Sequence, residues 1–424
     1  MTGVARYAAM MFALLVLATF LPRLFWKVME GERDRIQMVY SPVSEEFLFW
    51  HQDRYGRDLY RSDGGREMDR RDYALHLPFH FARDLVRWGE MPESLGGVAV
   101  NRETLHREIQ EIRLRPSHLD GPEISLYFLL EAVSGFADLE MPKEVLRLSG
   151  REAVFIRIRD GKPDREKSEA FTGALQRADF HFLAKKAWGN PTPRKPFDWG
   201  WFVLDAKGDL FHLMQVRGQA RVRPVLKDFA LGVRYVQVEE HPGRHVFGML
   251  VDERGGVYRM NFPDYALKPL PLKDYDPGTM ILVWRRDPLG HHYTVLEENA
   301  LTLTVTDHGD KILKEKRVEL APLKSETARK VAAFLFPFRI FQSSPDSRFI
   351  TLRLGLNPDF PLMTGLGLFS ALLGLFLWRR FQGISWKVSP LDWLVAGGCG
   401  FFGLLAILWA GHVPARRRDE RGKA

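Results

Sequence analysis

Residues 203–214 read VLDAKGDLFHLM: an apolar run, an Asp, two more residues, a Gly and an apolar-aromatic exit. An Asp side chain bonds the backbone that follows it, and Gly accepts the positive φ of a closing turn, so this stretch predicts two short strands in a hairpin. The unit recurs as DRYGRDLY at 53–60, DERGGVY at 252–258 and DPLGHHY at 287–293. Asp205, Asp252 and Asp287 lie 47 and 35 residues apart, against about 40 to 50 for a four-stranded propeller blade. A propeller-like β domain is the expectation, with an open sandwich or stacked meander as the alternative.

Around these turns, alternating β-branched and aromatic runs extend the pattern: EFLFWHQ (46–52), AVFIRIR (153–159), GVRYVQVEE (232–240), HVFGMLV (245–251) and ALTLTVT (300–306). Helices are fewer. FHFARDLVRW follows Pro78, and Asn101 caps NRETLHREIQEI, with Leu105, Ile109 and Ile112 as one stripe. SEAFTGALQRA places Phe171, Ala174, Leu175 and Ala178 on one face, and Ser325 caps SETARKVAAFL. The soluble segment thus reads as an α+β part over 27–195, a hairpin-repeat part over 196–320 and a linker over 321–360.

Outside that segment the composition changes. YAAMMFALLVLATFLPRLFW at 7–26 is apolar except for Arg23, which can snorkel, and lacks the small-residue exit of a cleaved signal peptide. Residues 361–378 and 393–410 are two further runs of spanning length, closed by Trp. The fold class expected is an integral membrane protein with three transmembrane helices and a large β-rich, propeller-like α+β soluble domain. Small residues recur at four-residue spacing, Gly367 with Ala371, Ser370 with Gly374, Ala396 with Gly400, and Cys399 with Gly403. Such spacing packs helices closely in lipid, either these two on each other or against a partner.

A net charge of +8 is spread out and dense only beside the apolar runs, so the partner expected is the lipid bilayer and not nucleic acid. Strict counting of Lys and Arg, including the basic tail at 411–424, puts the soluble domain in the cytoplasm. Large domains translocate largely regardless of charge, and an N-terminal anchor after Arg6 is a common export device. The expectation is therefore a multi-pass protein of the inner (plasma) membrane, its soluble domain extracytoplasmic.

No G-x-x-x-x-G-K-[ST], G-x-S-x-G, H-E-x-x-H or C-x-x-C occurs in the chain, which disfavours ATPase, serine hydrolase and zincin chemistry. With one cysteine there is no thiolate cluster either. His241 and His245 flank a Pro-Gly turn beside Glu239 and Glu240, a pattern that serves zinc or simply a polar hairpin tip. The aromatics of KPFDWGWF (195–202) fit either a stacking platform or core. No catalytic residue and no cofactor is expected.

YSPVSEEFLFW, LPFHFARDLVRWGEMPESLGG, LYFLLEAVSG, MPKEVLRLSG, GNPTPRKPFDWGWFVLDAKGDLFHL and YALKPLPLKDYDP together resemble an uncharacterised bacterial family of membrane-anchored proteins, a domain of unknown function. Its genes often lie beside those of ABC transporters, so the resemblance implies an ABC permease and ATPase as partners and carries over no activity. The function expected is a non-enzymatic accessory or sensing subunit of a transport system. The alternatives are a cell-envelope hydrolase or metal-dependent enzyme using His241, His245 and His291, and an envelope signalling protein.

Overall fold

The computed structural model describes residues 3–31, 33–121, 126–136, 138–148, 150–341, 353–356, 360–383 and 389–410. The basic tail at 411–424 and most of the loop before the last helix lie outside them. Two compact units form: Asp34–Leu320, and Met1–Arg33 with Ala321–Ala424.

The first of these units is a β-rich α+β fold built from antiparallel meanders. The first meander runs Arg35–Tyr40, Phe47–Gln52, Asp58–Ser62 and Glu67–Met68; the second runs Lys186–Gly189, Trp201–Leu204, Leu210–Val216 and Gln219–Leu226. The third runs Val233–Val238, Val246–Asp252, Val257–Asn261 and Leu267–Pro269. In the fourth, Ile281–Asp287, Gly290–Leu296, Ala300–Thr306 and Ile312–Glu319 follow one another, and Gln110–Leu114 pairs with the edge at Ile281–Asp287.

The Asp turns work as their chemistry requires. Asp205 Oδ1 accepts the N–H groups of Lys207, Gly208 and Asp209 at 2.8–2.9 Å, and Asp252 Oδ1 accepts those of Arg254 and Gly256. Asp53 and Asp287 do the same for their own turns, and Asp307 adds a fifth case. Local hairpins are thus legible, but among the described residues the sheets close into no barrel or propeller. The propeller-like expectation is corrected to a series of meanders. Turn spacing reports pairing within one sheet, whereas closure depends on contacts between sheets that no local period encodes.

Helices follow their caps. Asp164 accepts from Lys167 N at 3.1 Å and starts Arg165–Arg177, whose Phe171 and Leu175 are buried against Phe155 and Phe211. Asn101 caps Arg102–Glu108, yet that helix stops where the strand Gln110–Leu114 begins. Gln110, Ile112 and Leu114 face inward at period two, so the expected Leu105–Ile109–Ile112 stripe does not exist. The KPFDWGWF aromatics Phe197, Trp199, Trp201 and Phe202 are all buried.

Among the described residues, the second unit holds three helices long and apolar enough to cross a membrane: Gly3–Met29, Pro361–Phe381 and Pro390–Ala410. On the first, Arg6, Met10, Ala13, Leu14 and Ala18 are buried, while Phe12, Leu15, Phe20 and Leu24 are exposed. This is helical periodicity with the polarity of a lipid-facing surface. A shorter helix, Glu326–Leu335, capped by Ser325 Oγ on Ala328 N, packs between them with Ala332 and Phe336 against Phe402 and Ala406.

Candidate functional site

Between the third and fourth meanders lies an open cavity of about 280 Å³. Antiparallel register sets Arg286 opposite His291 and Trp284 opposite Tyr293, so the four side chains share one face of the sheet. Trp284, Arg286 and His291 line the cavity, joined by Arg259 and Lys268 from the third meander, by His245 from that meander's first turn and by His308 in the last turn of the fourth.

Each cation has its carboxylate partner outside the lining. Arg259 donates from Nη1 and Nη2 to the two oxygens of Asp310 at 3.0 and 2.8 Å, and Tyr293 donates to the same carboxylate at 3.0 Å. Lys268 Nζ lies 3.6 Å from Asp310, and Arg286 bonds the Glu108 carboxylate through Nη1. Burial raises the Asp310 and Glu108 carboxyls, but the guanidinium bonds outweigh it and hold both below their ordinary values. Burial, and then the Arg259 charge, pushes His291 down to about 3; burial and Arg286 lower His245 as well. His291 is therefore neutral at pH 7, chiefly because it is buried.

His245 Nε2 lies 3.0 Å from Arg107 O and 3.6 Å from Glu108 Oε2. His241 does not line the cavity; its Nδ1 accepts Gly243 N–H at 3.2 Å, and burial, then His245, lowers it to about 4. His292 faces away and pairs with Asp287 at 3.0 Å. Thus the structure brings His245 and His291 to one cavity and leaves His241 in its turn. Among the described residues no group of three or more His, Cys, Asp or Glu is placed to hold a metal ion.

In the helical unit, Arg6 donates two hydrogen bonds to Asp392, at 3.0 and 2.9 Å, and Arg379 donates a third at 2.6 Å. Ser389 Oγ adds a bond to Asp392 at 3.1 Å and meets Tyr7 Oη at 2.8 Å. Arg6, Arg379 and Asp392 are 2%, 1% and 1% exposed. One carboxylate thus ties the start of the first helix, the end of the second and the start of the third.

The small residues divide their work. A Cβ on Gly367 would sit 1.8 Å from Phe334 O, so this glycine receives the backbone of Glu326–Leu335 and not the neighbouring long helix. Gly374 packs on Leu404, where a Cβ would lie 3.2 Å from Cδ2; Ala371 and Ala396 are buried, and Ser370 is half-buried. Gly400 leaves helical geometry at φ 57°, ψ −134° and breaks the last helix against Pro337 and Leu368. Gly403 follows the break, where a Cβ would meet Val395 O of the same helix at 2.3 Å.

Residues 37–305 match the family described as a domain of unknown function, DUF4857. The chain belongs to the DUF4857 family. No curated protein matches it. Among solved structures it is similar to the WD40 domain of SCAP from fission yeast, at 8% identity and a TM-score of 0.24 over 77% of this chain and 88% of that one. At that score the likeness carries no argument. The DUF4857 match takes in Glu108, His245, Arg259, Lys268, Arg286 and His291 but ends before His308 and Asp310, and it includes none of the three long helices. Sequence reasoning missed the basic cavity apart from its histidines, because its residues come from separate strands and turns. It also missed the Arg6–Asp392–Arg379 network, although an Asp heading an apolar run was the available signal.

Proposed function

We propose that this DUF4857 protein spans the membrane three times and serves as a non-enzymatic accessory or sensing subunit of a transport system. The observation that carries it is the Arg6–Asp392–Arg379 network. Tethering a domain takes one helix, and desolvating three charged groups is expensive unless they are paired and bonded. A bundle locked in this way is a specific structure, with outward apolar faces such as Leu362, Leu366, Phe369 and Leu373 free to meet lipid or other membrane helices. The network also sets the N-terminal end of the first helix, the C-terminal end of the second and the N-terminal end of the third together, as successive crossings in alternating directions require. The transport component, with an ABC permease and ATPase as partners, rests on the family resemblance. Position in the plasma membrane with the β domain outside the cytoplasm completes the proposal.

The test is purification of the full chain from its native membrane in mild detergent, followed by identification of co-purifying proteins. A permease recovered in stoichiometric amount supports the role. A chain that purifies intact and alone removes it.

A further inference from the structure

The cavity between the third and fourth meanders offers more donors than the protein itself uses. Arg286 makes its hydrogen bonds to Glu108 through Nη1, so among the described residues its Nε and Nη2 edge is open. His291 lines the same space at 4% exposure, and its buried Nδ1 has no hydrogen-bond partner among the described residues. A buried polar atom left without a partner costs roughly 1–3 kcal/mol, and such atoms mark places where something else binds. Lys268 and Arg259 add two more cationic groups to the lining, while Asp310 and Glu108 stand outside it; Asp264 is the one carboxylate on the lining, at an exposed position. At about 280 Å³ the space suits a small polar ligand with its water, just under the size of drug-like pockets.

We propose that this cavity is a binding site for a small oxyanion, a phosphate or carboxylate group held by Arg286, Lys268 and Arg259 and accepting a hydrogen bond from His291. The chemistry is consistent in each part. Guanidinium presents paired donors that match both groups, and Lys supplies a point charge. Neutral imidazole donates from one nitrogen, so His291 needs no extra proton to take part. Burial first, and the Arg259 charge second, keeps His291 neutral, so its ring brings a donor to the anion without adding a charge. The site lies wholly within residues 245–308, and it stands whether or not the transport role holds.

Isothermal titration calorimetry on the full-length chain in detergent at pH 7 tests it, with inorganic phosphate and acetate as probes and sodium chloride at matched ionic strength as the control. Saturable one-to-one binding of phosphate is expected, weakened about tenfold or more in Arg286→Gln and in Lys268→Gln. Lys268 is half exposed, so its variant keeps the fold, and an unchanged melting temperature without ligand verifies this for both. A response to acetate as well as phosphate assigns a general oxyanion site, and a response to phosphate alone assigns a phosphate site. Heats no different from chloride up to about 10 mM, or binding that both variants leave untouched, overturn the proposal.

Discussion

Arg6 and Asp392 are 386 residues apart in the chain and share two parallel hydrogen bonds, both ends buried. Replacing Asp392 with Ala removes the carboxylate that two guanidiniums bond, whereas Arg6→Leu leaves Asp392 its bond from Arg379. Breaking a buried pair typically costs about 3–5 kcal/mol. The Asp392 variant is therefore expected to lose more stability than the Arg6 variant, read as detergent-dependent melting of the purified chain. Equal losses would mean that the network does not hold the three helices.

A β domain outside the cytoplasm, as proposed, predicts a definite reporter pattern. Alkaline phosphatase fused after Asp264, and separately after Ala424, is expected to be active at both positions, with a green fluorescent reporter dark at both. The opposite pattern would place the β domain in the cytoplasm, as the strict count of basic residues has it.

Close approach of backbones makes Gly367 and Gly365 a controlled pair. A Cβ at Gly367 would overlap Phe334 O, while one at Gly365 meets nothing within 4 Å. Gly367→Ala is expected to cost about 1–3 kcal/mol by overpacking, and Gly365→Ala to be neutral. Thermal denaturation of the two variants side by side decides it.

Two desolvated groups, buried His212 and half-buried Glu239, predict opposite pH slopes. His212 stacks on Phe202 with centroids 4.3 Å apart, and burial lowers it to about 4. Between that value and the ordinary value near 6.5 the unfolded chain binds the extra proton, so stability falls as pH drops through this window, by about 3 kcal/mol at most. Glu239 is raised to about 7 by burial and then by Glu240. Here the folded state holds the proton, so stability is full below about 4.5 and falls as pH rises toward 7. Glu239→Gln should flatten the second slope only, as measured by denaturant titration at stepped pH.

Turn chemistry gives a further contrast. Asp205 is fully buried, and its carboxylate accepts three turn N–H groups on one oxygen and His181 N–H on the other. Asp205→Ala is expected to cost on the order of 3 kcal/mol. Asp53→Ala, in an exposed turn of the same design, should cost clearly less. Chemical denaturation of both variants provides the comparison.

These turns were legible from sequence because their hydrogen bonds close within four residues. The caps at Asn101 and Ser325 were legible for the same reason. Gln110–Leu114 was not: IQEIRL satisfies helical and alternating spacing alike, and the partner strand that settles it lies at Ile281–Asp287. The basic cavity was visible only as scattered histidines, since Arg259 meets Asp310 across 51 residues and Arg286 meets Glu108 across 178. The Arg6–Asp392 pair was not legible, because 386 residues of chain separate two charges that only the assembled helices set face to face.

Gly400 gives the bundle an unequal pair of ends. The ladder of backbone bonds that stiffens a helix is cut there, so residues on its two sides form two short rods with a joint between them. The rod carrying Asp392 is clamped by Arg6 and Arg379, while the rod ending at Ala410 rests on Phe336 and Phe338 through Phe402. Strain on the rod ending at Ala410 can then be absorbed at the joint, leaving the clamped end as the fixed reference of the bundle.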